Sequence, residues 1–130
     1  MIVLDASAAI DWLLQSASGR KVEERIYSHG ESLHAPHLLD VEFTQVLRRL
    51  VRERTVEVSR AEQAIVDLVN LPITRYPHFV FLPRLWQLRH NLTAYDAVYI
   101  ALAERLNATL VTRDARLSTA TGHQARIEVF

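Results

Sequence analysis

Five short runs of strand type, each followed or preceded by helical segments, constrain this chain more than any other feature. The runs fall at Ile2–Leu4, Leu33–Ala35, Ile73–Tyr76, Thr109–Thr112 and Ile127–Val129. Helical periodicity occupies Ala6–Gln15, Arg20–Ser28, Leu38–Arg54, Ser59–Asn70, Phe79–His90, Thr93–Leu106 and Asp114–Thr119. Strands that alternate with helices predict an α/β class, here a three-layer α/β/α sandwich around a central parallel sheet of four to five short strands. The punctuation agrees. Gly19 reads as the break between the first two helices, and Gly30 closes the second. Pro36 stops the second strand, and Pro77 bounds the third. Ser59, with Glu62 three residues on, reads as a capping box, and Pro72 ends that helix.

The 130 residues suit one domain spanning 1–130, long enough to bury a core. With 49% hydrophobic residues, disorder is excluded. No cysteine is present, so thiolate metal sites and disulfides are excluded. No signal peptide and no run near the length of a membrane span is evident, so the expectation is a soluble cytoplasmic protein with no membrane partner. Net charge is zero, which removes a global basic field. Of the 15 basic residues only Lys21 is lysine. Arginine suits bidentate phosphate contact, although codon usage explains the bias equally well. The six histidines show no helical metal spacing and read as loop and surface residues.

Four acids stand out. Asp5 ends the first strand and precedes a helix, so it is either an N-cap, one ligand of a distant site, or both. Asp114, in "LVTRDARL", has the same two readings after the fourth strand. Asp96, in "LTAYDAVYIALAERL", lies in the first turn of a helix that is apolar nearly all round, on the face of Tyr99, Ile100 and Ala103. A carboxylate there needs a partner or a metal. Glu42 sits at the margin of the stripe Leu39, Phe43, Val46, Leu47 and Leu50, with a salt bridge to Arg49 as its bland reading, while Asp40 and Glu53 read as solvated. In a parallel sheet, functional groups gather beyond the carboxyl ends of the strands, where Asp5 and Asp114 lie. Four carboxylates in one pocket repel unless divalent cations neutralise them, and oxygen-only donors suit magnesium or manganese. The inference is an acidic, metal-dependent nuclease site.

The segments "IVLDASAAI", "APHLLDVEFTQVLRRL" and "LTAYDAVYIALAERLNATLVTRD" occur in that order. Together they resemble a PIN domain, more narrowly the VapC-like toxin ribonucleases of bacterial toxin–antitoxin pairs, over essentially the whole chain. The resemblance implies a PIN-like fold and a catalytic set of Asp5, Glu42, Asp96 and Asp114. It implies magnesium, with manganese able to substitute, bound by Asp5, Asp96 and Asp114. Glu42 then orients or deprotonates the attacking water, which cuts RNA to leave 5′-phosphate and 3′-hydroxyl ends. Ser7 and Thr112 match hydroxyl positions that support the pocket. Gln45 departs from the asparagine of many relatives and is expected to alter hydrogen bonding around Glu42. The implied partners are an RNA substrate, a cognate VapB-like antitoxin whose arm covers the acids, and a second copy of the chain. Arg89, Arg113 and Arg116 are candidates for RNA backbone contact. Leu13, Leu14, Val22 and Ile26 are either a receiving groove for the antitoxin arm or core. The alternative is a degenerate PIN-fold module that binds RNA or protein without catalysis. Phosphoaspartate enzymes are disfavoured by Ser7 two residues after Asp5, and both they and receiver domains by Lys21 being the only lysine.

Overall fold

The computed structural model describes residues 1–130. Its element order is β1 (Ile2–Leu4), α1 (Ala6–Leu13), α2 (Ala17–Ser28), β2 (Leu33–Pro36), α3 (Leu38–Arg52), α4 (Val58–Asn70), β3 (Ile73–Tyr76), α5 (Leu82–Gln87), α6 (Ala94–Leu106), β4 (Thr109–Thr112), α7 (Ala115–Thr119) and β5 (Arg126–Val129). The five strands form one sheet in the order β3-β2-β1-β4-β5, every pair parallel. The predicted α/β/α sandwich is therefore the observed one.

β1 lies at the centre, and its three side chains are fully buried. A central parallel strand is covered on both faces, so it reads as a continuous apolar run rather than an alternating one. Its residues still point to opposite sides. Ile2 and Leu4 join the core under α1 to α4, with Trp12, Val22, Phe43 and Leu68. Val3 joins the core under α5 to α7, with Leu88, Ile100, Leu110 and Leu117. α6 is buried continuously from Ala97 to Ala103, which explains its apolar circumference. No helix is long and apolar enough to cross a membrane.

Several expectations change. Gly19 is not a break but lies inside α2, where Ser16 caps the helix by accepting the Gly19 N–H at 3.0 Å. Ser59 is not a cap, because α4 begins one residue earlier and Glu57 precedes it without a side-chain cap bond. The helix predicted over 79–90 is a 3-10 turn at Phe79–Phe81 followed by the short α5. Leu13, Val22 and Ile26 are core, and Leu14 packs against it, so they form no receiving groove. His34 is buried in β2 between Ser32 Oγ at 2.8 Å and the Tyr76 hydroxyl at 2.7 Å, not a loop or surface residue. Asp40 is held by Arg75 rather than left to solvent, with its nearest contact at 2.8 Å.

Candidate active site

The parallel sheet aims the carboxyl ends of β1 and β4 at one edge of the molecule, and Asp5 and Asp114 follow those ends. Asp5 caps α1, its Oδ1 accepting the Ala8 N–H at 3.0 Å. The same oxygen accepts the Ser7 hydroxyl at 2.7 Å, and Oδ2 accepts the Thr112 hydroxyl. Ser7 Oγ in turn accepts the Arg113 N–H, and Thr112 Oγ1 accepts the Asp114 N–H, each at 2.9 Å. Two hydroxyls thus tie the end of β1 to the loop after β4. Asp5 is 7% exposed and forms no ion pair within 4.0 Å. Burial pushes its carboxyl above the ordinary range, outweighing the bonds from Thr112, Ala8 and Ser7.

Glu42 lies one turn into α3 and is half-buried. Its Oε1 accepts the Tyr99 hydroxyl of α6 at 2.7 Å. Burial raises its pKa, and the neighbouring charges of Asp5 and Asp96 raise it further. The bland alternative for Glu42, a salt bridge to Arg49 or to an arginine elsewhere, is not what forms: Glu42 has no ion pair, and Arg49 faces Glu53 at 4.0 Å. Asp96 sits in the first turn of α6, where the unpaired N–H groups favour an anion. Its backbone N–H donates to the Thr93 hydroxyl at 3.2 Å, while its carboxylate has neither a hydrogen bond nor an ion pair. Asp114 caps α7, accepting the Arg116 N–H at 2.9 Å. The Arg116 guanidinium also grips both of its oxygens, which holds that carboxyl below its usual range.

All four acids line one cavity of about 470 Å³, together with Ser7, Asp11, Tyr99 and three arginines. A second cavity of about 580 Å³ borders Asn107 and Arg126, at the opposite ends of the strands. Its single acid, Glu104, is already paired with Arg84 at 2.8 Å, so it lacks the unneutralised charge of the first. The all-oxygen donor set of the acid cavity fits a hard divalent ion, as do the carboxylates of Asp5, Glu42 and Asp96, which form no ion pair. No three of the acids stand close enough to clasp one ion together. Asp114 is paired with Arg116. That guanidinium is 84% exposed, and so open a pair is a weak hold.

Each of the three arginine candidates has an intramolecular partner. Arg113 pairs with Asp11, and Arg116 with Asp114. Arg89 stacks on Trp86, 4.6 Å from the ring centroid, and does not line the cavity. Gln45 is exposed and makes no bond to Glu42. Three polar lining residues, Asp11, Tyr99 and Arg49, escaped sequence reasoning as parts of the site. Tyr99 was visible as a face-mate of Asp96, but its bond to Glu42 depends on how α3 meets α6. Arg49 was visible two turns beyond Glu42, but as its partner rather than its neighbour.

A family model described as the PIN domain matches residues 2–122. The chain belongs to the PIN-domain family. This PIN domain is 43% identical to "VapC ribonuclease Mb0985" of Mycobacterium bovis, over 99% of the chain and 98% of that protein. Its fold matches that of PAE2754 from Pyrobaculum aerophilum with a TM-score of 0.75 at 23% identity, covering 98% of this chain and 83% of that one. It also matches VapBC2 from Rickettsia felis, solved bound to a DNA fragment from its promoter. There the TM-score is 0.67 at 12% identity, over 99% and 98% of the two chains.

Proposed function

We propose that this PIN domain is a magnesium-dependent endoribonuclease and the toxin of a toxin–antitoxin pair, working in the cytoplasm. The observation that carries the reading is the shared cavity of Asp5, Glu42, Asp96 and Asp114, in which the first three have no basic partner. Its identity with a named VapC ribonuclease supports the substrate class.

Asp5, Asp96 and Asp114 are the residues to hold the ion. Magnesium or manganese bound there supplies a Lewis acid that lowers the pKa of water and offsets phosphate charge. The chain itself supplies the rest. Glu42, its pKa raised toward neutrality by burial, takes a proton from the attacking water. Tyr99 holds that carboxylate in place from α6. Ser7 and Thr112 hold Asp5. The water oxygen bonds to phosphorus in line as the bond from phosphorus to the 3′ oxygen breaks. The products are a 5′-phosphate and a 3′-hydroxyl, the latter taking its proton from solvent. Acids at the floor of a cavity do not reach into a stacked groove, so the target is single-stranded or looped RNA. A cognate VapB-like antitoxin is proposed as a partner, by analogy with the VapBC2 assembly, and a second copy of the chain is proposed as a further one.

Cleavage of RNA by wild type and by Asp96→Asn, each with magnesium and with EDTA, tests the reading. Activity confined to wild type with magnesium is the expected result. Glu42→Gln is expected to lower kcat by about 10²–10⁴-fold. Equal activity in every arm contradicts the metal-nuclease reading. No cleavage of any RNA by folded, metal-supplied protein favours the non-catalytic binding module.

A further inference from the structure

The chain is neutral overall, yet its free positive charge is gathered in one place. Most of the arginines are engaged, either in ion pairs or with backbone carbonyl groups. Those with no close partner are Arg20, Arg48, Arg49, Arg52, Arg54 and Arg105, counting Arg49 because its contact with Glu53 is 4.0 Å long. Four of the six fall in the stretch "RRLVRER" that ends α3.

Positions 45, 48, 49 and 52 share one face of a helix. They line a shallow cavity of about 400 Å³ with Glu53 and no apolar residue. Arg49 lines both this cavity and the acid cavity, so the two adjoin at that residue. At 1.5 Å per residue, Arg49 lies about 10 Å beyond Glu42 along the helix axis and Arg52 about 15 Å beyond it. A helix C-terminus favours cations in its last turn, which accounts for Arg49 and Arg52 but not for Arg48, which precedes that turn. Nor does that preference explain why three of the five residues lining one cavity are arginines.

We propose that this face of α3 is a phosphate-binding track for the RNA strand flanking the cut, with Arg49 at its entry and Arg48 and Arg52 beyond. The inference rests on the nuclease reading and extends it. The acids repel the polyanion that they are to cut. Unpaired guanidinium groups beside them supply the compensating attraction, with the fork geometry that suits phosphate oxygens. The track contacts backbone alone, so it adds affinity without sequence preference.

The test measures binding of an unstructured, dye-labelled oligoribonucleotide in EDTA against salt concentration. All proteins carry Asp96→Asn, so no cleavage intervenes. Loss of two single-strand phosphate contacts makes the slope of log Kd against log salt shallower by about 1.4. That change is expected for Arg48→Gln/Arg52→Gln. It is not expected for the control Arg20→Gln/Arg105→Gln, which removes two equally exposed, unpaired arginines elsewhere. In the cleavage-competent protein the track variant should raise KM and leave kcat unchanged. Equal slopes in the two double variants overturn the track and leave α3 to an acidic protein partner. A slope difference without cleavage by the parent protein supports the track and overturns the nuclease reading alone.

Discussion

A carboxylate buried beside three hydrogen-bond donors and no cation works against the fold at neutral pH. Asp5 is such a group, and its pKa is raised in the folded state. The folded chain therefore holds that proton more tightly than the unfolded chain. The contribution of Asp5 to metal-free stability is greatest below the ordinary carboxylate pKa and falls as pH rises from there through the raised folded value. Asp5→Asn removes the ionisable group and keeps the shape. It is expected to abolish cleavage while making the protein in EDTA more stable than wild type at neutral pH, with the gap closing in acid. Urea unfolding at a series of pH values reads this directly. Tyr99 gives a second prediction. Burial raises its own pKa well above the usual value, so it remains a donor to Glu42 throughout the working range. Tyr99→Phe deletes a bond that favours the ionised carboxylate. The acid limb of the cleavage profile is expected to move to higher pH, with a stability loss of about 1 kcal/mol.

Helix ends decide where each acid points, and the ends are where sequence and structure diverge most. A Cβ at Gly19 would stand 1.8 Å from the Asp11 carbonyl oxygen and 2.7 Å from the Trp12 nitrogen. Glycine is thus required for α2 to approach α1, the helix that begins beside Asp5 and carries Ser7. Gly19→Ala must separate the two helices and is expected to cost about 3 kcal/mol. A shifted urea midpoint and reduced cleavage would show it. The strands, the long helices α3 and α6, and the placement of Asp5 and Asp114 after strands were legible, because period and proline boundaries are local signals. Gly19 misleads because a close approach and a break use the same residue. Ser59 misleads because Val58 already has helical geometry, leaving the hydroxyl inside the helix. The bond from Tyr99 to Glu42 spans 57 positions, and no local pattern encodes it. The pairing of Arg113 with Asp11, 102 positions apart, hides from sequence for the same reason, whereas Arg116 and Asp114 are only two residues apart.

At the scale of the whole molecule, strand order brings remote residues together, and a few charged contacts secure its edges. Arg25 of α2 donates to Glu31 before β2 and to Glu128 of the edge strand β5, each at 2.7 Å. The amino terminus and Arg25 hold the Glu31 carboxyl below its usual range. Its contribution is present above the unfolded pKa and is lost as pH falls through the depressed folded value. Arg25→Gln is expected to destabilise by about 1 kcal/mol at neutral pH, with the difference vanishing in acid; thermal melts at both extremes check it. The sheet order matters more, because β1 and β4 are neighbours only through it, and the acid cavity exists only if they are. Crystals soaked in manganese and measured at a wavelength where manganese scatters anomalously test that account most directly. The account predicts an anomalous peak in the acid cavity, about 2 Å from carboxylate oxygens of both Asp5 and Asp96, with Asp114 swung away from Arg116. A saturated crystal with no peak there, or with Asp5 and Asp96 contributing no oxygen to the one observed, would contradict it.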